Sequence, residues 1–220
     1  MISALAGLVA GSMHVLSGPD HLAAIAPLAV DNRRKAWITG LRWGIGHSAG
    51  VLTVGLLSLL LRGFLPLHDI SHWSERLVGV LLIAIGCWGI RKAMHVHAHE
   101  HDHNGEQHVH LHIHSPSRKH NAPQSHKHSH TAFGIGTLHG LAGSSHFLGV
   151  LPAMAFTPRL DAVAYLLTYG IGTVAAMTLF SSALATVANR LSLRTVAGYR
   201  TIMCMVSVGA VLVGGYWLFV

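Results

Sequence analysis

The octapeptide His14-Val-Leu-Ser-Gly-Pro-Asp-His21 lies inside an apolar run over 2–30, and a second version, His139-Gly-Leu-Ala-Gly-Ser-Ser-His146, lies inside another over 131–157. Both read His-x6-His with glycine at the fifth position, Gly18 and Gly143. The same offset carries Pro27 onto Pro152, and an offset one residue longer carries Gly44-Ile45-Gly46 onto Gly170-Ile171-Gly172. Residues shared in order across two halves point to a duplicated unit.

Working outward, the chain has 220 residues, 51% hydrophobic and only 10% charged, with a mean hydropathy of +0.47. A soluble domain carries about 25% charged residues, so a soluble globular protein is excluded. A membrane span needs roughly 20 mostly apolar residues, and six runs qualify: about 2–30, 36–61, 77–94, 131–157, 160–188 and 200–220. The first run starts without a basic leader and is expected to be a retained span. The expected fold is therefore an all-α integral membrane protein. Six transmembrane helices form two three-helix repeats, 1–94 and 131–220, joined by the segment 95–130. Three spans per repeat invert the second copy, a build common among transporters with a site near the bilayer midplane.

Net charge is +7, but the bases cap apolar blocks, which is an orientation signal and no sign of nucleic acid. One set of loops holds Arg33, Arg34, Lys35, Arg91, Lys92, Arg118, Lys119, Lys127, Arg190, Arg194 and Arg200; the other holds Arg62, Arg76 and Arg159. The asymmetry predicts both termini outside and 95–130 in the cytoplasm of a bacterial inner membrane.

Residues 95–130 contain thirteen of the twenty histidines and few apolar residues, a composition expected to be disordered, although the alternating stretch 108–114 also passes for a short strand. His95, His97, His99, His101, His103, His108, His110, His112, His114, His126, His128 and His130 read as a low-specificity metal collector, since neutral imidazole suits Zn, Cu, Ni and Co.

Ionisable groups inside spans are costly and point to function. His14 and His21, seven apart, share a helix face, and Gly18-Pro19 breaks the helix between them, which lets Asp20 swing inward. At 1.5 Å per residue His14 lies roughly 18 Å, His47 roughly 16 Å, His139 about 12 Å and His146 about 22 Å into their spans, all near the middle of a ~30 Å core. The expected site is His14, Asp20, His21 and His47, faced by His139, Ser144, Ser145 and His146. Imidazoles with one carboxylate suit Ni²⁺, Co²⁺ or Zn²⁺; a hard ion would want more carboxylates. Among the tryptophans, Trp37, Trp43, Trp73 and Trp217 are expected to include interfacial anchors. Cys87 and Cys204 form no Cys-x-x-Cys pair and read as packing residues.

The stretch from His14 to Leu22, with Arg42-Trp-Gly-Ile-Gly-His47-Ser after it, resembles the nickel/cobalt transporter family, and most of all its urease-accessory UreH-like branch. The resemblance implies that His14, Asp20, His21 and His47 select and pass Ni²⁺ or Co²⁺. It also implies a nickel-enzyme assembly, of urease or hydrogenase type, downstream. The sequence departs from the family pattern His-Ala-x-Asp-x-Asp-His: one residue is added between the histidines, and Ser17 stands at the first Asp position.

The expectation is a carrier of a transition-metal cation, with lipid and the ion as partners, no prosthetic group and no enzymatic activity. No Gly-x4-Gly-Lys-Ser/Thr loop is present. Three rival readings remain. One is a membrane redox protein with His-ligated haem. Another is a thiol-electron carrier, which would place reactive Cys where this chain has His. The third is a metal storage or delivery protein without flux.

Overall fold

The computed structural model describes residues 1–60, 67–103, 106–113, 129–142, 149, 151–157, 159–191 and 195–219, with the backbone alone over 55–60, 67–72, 96–103, 106–113, 129–130 and 154. The helices are α1 (Ile2–Ser17), α2 (Pro19–Asp31), α3 (Ala36–Leu60), α4 (Leu67–Met94), α5 (Ser129–Ala142), α6 (Arg159–Leu191) and α7 (Val196–Phe219). Short 3-10 turns cover Arg33–Lys35 and Leu151–Ala155.

Among the described residues three helical stretches are long and apolar enough to cross a bilayer: Trp73–Met94, Arg159–Leu191 and Val196–Phe219. The pair α1 and α2, bent by 74° at their break, is apolar and long enough to make a fourth when the two helices are counted as one span. The distribution of side chains is inside-out relative to a soluble protein. Leu5, Leu167, Leu179 and Leu212 are more than half exposed, while Asp20, His21, His47, His139, Thr173, Ser181 and Ser207 are buried. Apolar surface outside and polar groups inside is the stable arrangement in hydrocarbon. The chain is an integral membrane protein.

Packing is ordered by small residues. α1 lies along α6, α3 along both α5 and α6, and α4 along α7. Where α1 meets α6, a Cβ at Gly11 would strike the Tyr169 carbonyl oxygen, and a Cβ at Gly172 the Leu8 carbonyl oxygen. Where α3 meets α5, a Cβ at Gly136 would strike the Trp43 carbonyl oxygen, and one at Gly46 that of Phe133. Glycine is needed at all four because backbones approach closely where there is no side chain. The core around this contact holds Val15, Ile25, Trp43, Leu82 and Met177.

The segment 95–130 is where the structure corrects the sequence. It was expected to be disordered, but Val96–His103 (β1) and Glu106–Ile113 (β2) pair as an antiparallel hairpin, with His97 opposite His112, His99 opposite His110 and His101 opposite His108. Counting apolar residues tests for a core, whereas a hairpin needs alternation and a turn. The His-x-His repeats have the period of two that strands require, and Asn104-Gly105 is the strongest two-residue hairpin signal. Residues 114–128 lie outside the described residues.

Candidate metal centre

The centre is built on the break in the first span. α1 ends at Ser17, and Gly18 is extended, with φ −86° and ψ 105°. Pro19 then opens α2, a position where its missing N–H costs nothing. Asp20 falls in the first turn, where a carboxylate is favoured by the helix N-terminus. A Cβ at Gly18 would strike His21 Nδ1 and lie 2.8 Å from Asp20 Oδ1. Glycine therefore lets both side chains fold back over the break.

Asp20 is the hub. Its Oδ1 lies 3.0 Å from His21 Nδ1, and its Oδ2 lies 3.1 Å from His139 Nε2 on α5. The His21 ring is 4.7 Å from that of His14 and 4.9 Å from those of His47 and His139. His21, His47 and His139 are buried, Asp20 is buried, and His14 is half-buried. The donor atoms form two overlapping groups, His14/His21/His47 and Asp20/His21/His139, in each of which they lie within 4.8 Å of one another. His21 belongs to both. Four imidazoles and one carboxylate, drawn from α1, α2, α3 and α5, thus converge in the protein interior.

Of the remaining expected site residues, Ser144, Ser145 and His146 lie outside the described residues. Among the histidines of 95–130 only His95 has a described side chain, and it is not among the donor groups. His95 is exposed just after α4; His97, His99, His101 and His103 lie on β1, His108, His110 and His112 on β2, and His130 in the first turn of α5. His114, His126 and His128 lie outside the described residues.

Two aromatic residues belong to the site and were not read from the sequence as part of it. Trp43, expected among the interfacial anchors, is fully buried and stacks on His47 with ring centroids 4.8 Å apart and planes 9° apart. It also lies 5.9 Å from His21 and 5.4 Å from His139. Tyr169 on α6 faces His14 at 5.8 Å. The signal was available: the Gly-Ile-Gly match extends one residue earlier, pairing Trp43 with Tyr169 at the same offset. Trp37 and Trp73 are more than half exposed, as anchors would be.

Cys87 is exposed on α4 and Cys204 half-buried on α7, both free, and neither contributes to the donor groups.

Comparison with known proteins places this geometry in context. Over 178 residues, 80% of this chain, the sequence is 36% identical to the chloroplast protein FOR GROWTH AND FERTILITY 1 of Arabidopsis thaliana, covering 48% of that protein, and 36% identical to FOR GROWTH AND FERTILITY 2, covering 45%. The chain spans about half the length of these curated relatives. It is 26% identical over 182 residues to the urease accessory protein UreH of Bacillus sp. (strain TB-90), covering 80% of this chain and 73% of that protein. No solved structure matches. The expected kinship with UreH-like membrane proteins thus has a counterpart, although the family model that matches is not that of the nickel/cobalt transporters. That model is described as the cytochrome C biogenesis protein transmembrane region and matches residues 3–216. With nearly its whole length matched, the chain belongs to the family of the cytochrome C biogenesis protein transmembrane region.

Proposed function

We propose that this protein carries a divalent transition-metal cation, Ni²⁺ or Co²⁺ by preference and Zn²⁺ by the same chemistry, across the membrane through the His14/Asp20/His21/His47/His139 cluster. The observation that carries the reading is the convergence of these five donors at a helix break inside an apolar bundle. A carboxylate and several imidazoles are expensive there, and a borderline cation accepts this donor set. The two overlapping groups suit successive positions of one ion, with His21 holding it while the other ligands exchange.

The mechanism is alternating access by two inverted three-span repeats. Supporting it, the close approaches come in matched pairs. The contact of Gly11 with Tyr169 corresponds to that of Gly136 with Trp43, and the contact of Gly172 with Leu8 to that of Gly46 with Phe133, at the offsets that relate the two halves of the sequence. Exchange of α1 with α5, α3 with α6 and α4 with α7 accounts for all of these and for the packing of α4 on α7. The base-rich side, with 95–130, is the cytoplasmic side of an inner membrane on this reading. The His-rich segment gathers metal there, and the UreH relative supports a nickel-enzyme assembly, of urease or hydrogenase type, as the consumer.

The family description favours a redox carrier as the second reading. Against the thiol form of it, the donors at the helix break are His and Asp, and both cysteines lie outside them. Against haem, the imidazole rings and Trp43 pack at 4.7–5.9 Å, too tightly to admit a flat macrocycle. A storage or delivery protein would bind metal without flux. Full-length protein reconstituted in vesicles decides the matter: Co²⁺ or Ni²⁺ uptake that vanishes in His21→Ala supports the carrier, and metal binding without uptake overturns it.

A further inference from the structure

A cavity of about 700 Å³ lies between α2, α3, α4 and α5, apart from the metal cluster. Its outer lining includes Asp31, Lys92 and Thr131, at or near the ends of α2 and α4 and the start of α5. Its lining also includes Leu28, Thr39 and Ile135, each within two turns of a helix end on that side. Thr39 precedes Trp43 by one helical turn and Ile135 precedes His139 by one turn, so the lining stops about 6 Å along each helix from the cluster. At the mouth, α4 runs out into 95–130 and α5 begins where that segment ends, so the His-rich segment is tied to the mouth at both ends. Tethering of this kind raises the local concentration of whatever the segment holds.

The mouth also carries a charge device. Lys92 Nζ pairs with Asp31 Oδ1, which also accepts a hydrogen bond from the Tyr199 hydroxyl at 3.3 Å. Asp31 is the one acid among the described residues lining the cavity. The Lys92 ammonium lies 5.0 Å from the centre of the Trp88 ring, a face that attracts cations. A divalent cation arriving at Asp31 repels Lys92, whose ammonium already rests against the Trp88 ring and keeps that contact as it leaves the carboxylate. A cation entering a cavity with no other acid among its described lining residues needs a counter-charge, and Asp31 supplies it once Lys92 moves.

We propose that this cavity is the port through which the divalent cation passes between the His-rich segment and the midplane cluster, with Asp31 receiving the ion and Lys92 the counter-ion it displaces. The proposal rests on the carrier reading above and adds its route on the base-rich side.

The test uses the full chain in vesicles with Cys87 and Cys204 replaced by Ser and Thr39→Cys introduced, a near-isosteric change on the cavity lining. A membrane-impermeant, positively charged thiol reagent is applied from the base-rich side, and Co²⁺ flux is compared before and after labelling of the same vesicles. The port predicts labelling at Thr39→Cys, labelling slowed severalfold by Co²⁺, and flux reduced at least tenfold afterwards. Ala132→Cys, on the same lining, serves if Thr39→Cys does not insert. In the otherwise native chain, Asp31→Asn is expected to raise the half-saturating Co²⁺ concentration about fivefold. Absence of labelling, as when a lipid chain fills the cavity, or labelling that leaves flux untouched, overturns the port while flux lost in His21→Ala keeps the carrier. No Co²⁺ flux by the native chain overturns the carrier and the port with it.

Discussion

Asp20 and His139 are 119 residues apart in sequence, yet Asp20 Oδ2 lies 3.1 Å from His139 Nε2. One contact therefore joins the helix break of the first half to α5 of the second, and the carboxylate that makes it also holds His21 at 3.0 Å. A carboxylate that orients two imidazoles and offers a charge to the ion should matter twice. Asp20→Asn keeps the shape and one acceptor oxygen but removes the charge. The expected result is normal membrane insertion with Co²⁺ affinity lowered roughly 10–100-fold, the range for losing an outer-shell carboxylate, and more if Asp20 ligates directly. Isothermal titration of the purified protein measures it; unchanged affinity would show that the bridge is structural only.

Much of this centre was legible before any coordinates. Gly18-Pro19 predicts a break in an otherwise apolar helix, and the 74° bend between α1 and α2 occurs there. His14, His47, His139 and His146 are expected at similar depth; the first three lie together with His21, and His146 lies outside the described residues. Trp43 was misplaced because composition treats tryptophan in a membrane protein as an interfacial residue, whereas burial is set by what faces it, here His47 and α5. The alternation of 108–114 reads as a short strand, but its pairing with Val96–His103 is not legible from composition, because local backbone pairing does not require an apolar core.

The close approach of α1 to α6 makes Gly11 intolerant of any side chain. Gly11→Ala would push a methyl into the Tyr169 carbonyl, so the helices must separate. Overpacking of this kind costs about 1–3 kcal/mol. Gly134, with nothing within 4 Å of its would-be Cβ, is the control: Gly134→Ala is expected to be neutral or to stabilise by up to ~1 kcal/mol through helix propensity. Thermal unfolding in detergent should rank the two variants on opposite sides of the native chain. Equal midpoints would show that the α1/α6 contact is looser than the geometry indicates.

Imidazoles ligate only when neutral, so metal entry and proton release are linked. With His21 shared between the two donor groups, affinity is expected to fall as pH falls, by about tenfold per pH unit for each proton released. In vesicles, a proton gradient directed against the metal movement should drive accumulation. Co²⁺ flux indifferent to an imposed pH gradient would rule out the coupling, while pH-independent affinity would argue against imidazole ligation altogether.

Trp43 offers a way to separate packing from ligation. Its ring is fully buried and lies nearly parallel to His47 at 4.8 Å, and its Nε1 has no hydrogen-bond partner among the described residues. Trp43→Phe therefore removes an N–H that the fold does not use while keeping an aromatic face beneath His47. It should hold affinity within about threefold, under 1 kcal/mol. Trp43→Ala opens the wall of the cluster as well as the core, a loss of about 3–5 kcal/mol in stability, and frees His47 to leave its place beside His21. The discriminating measurement is Co²⁺ affinity at a temperature where both variants remain folded. If Trp43→Ala binds as tightly as Trp43→Phe, the stack does not position His47, and the His14/His21/His47 group must be held by His14 and His21 alone.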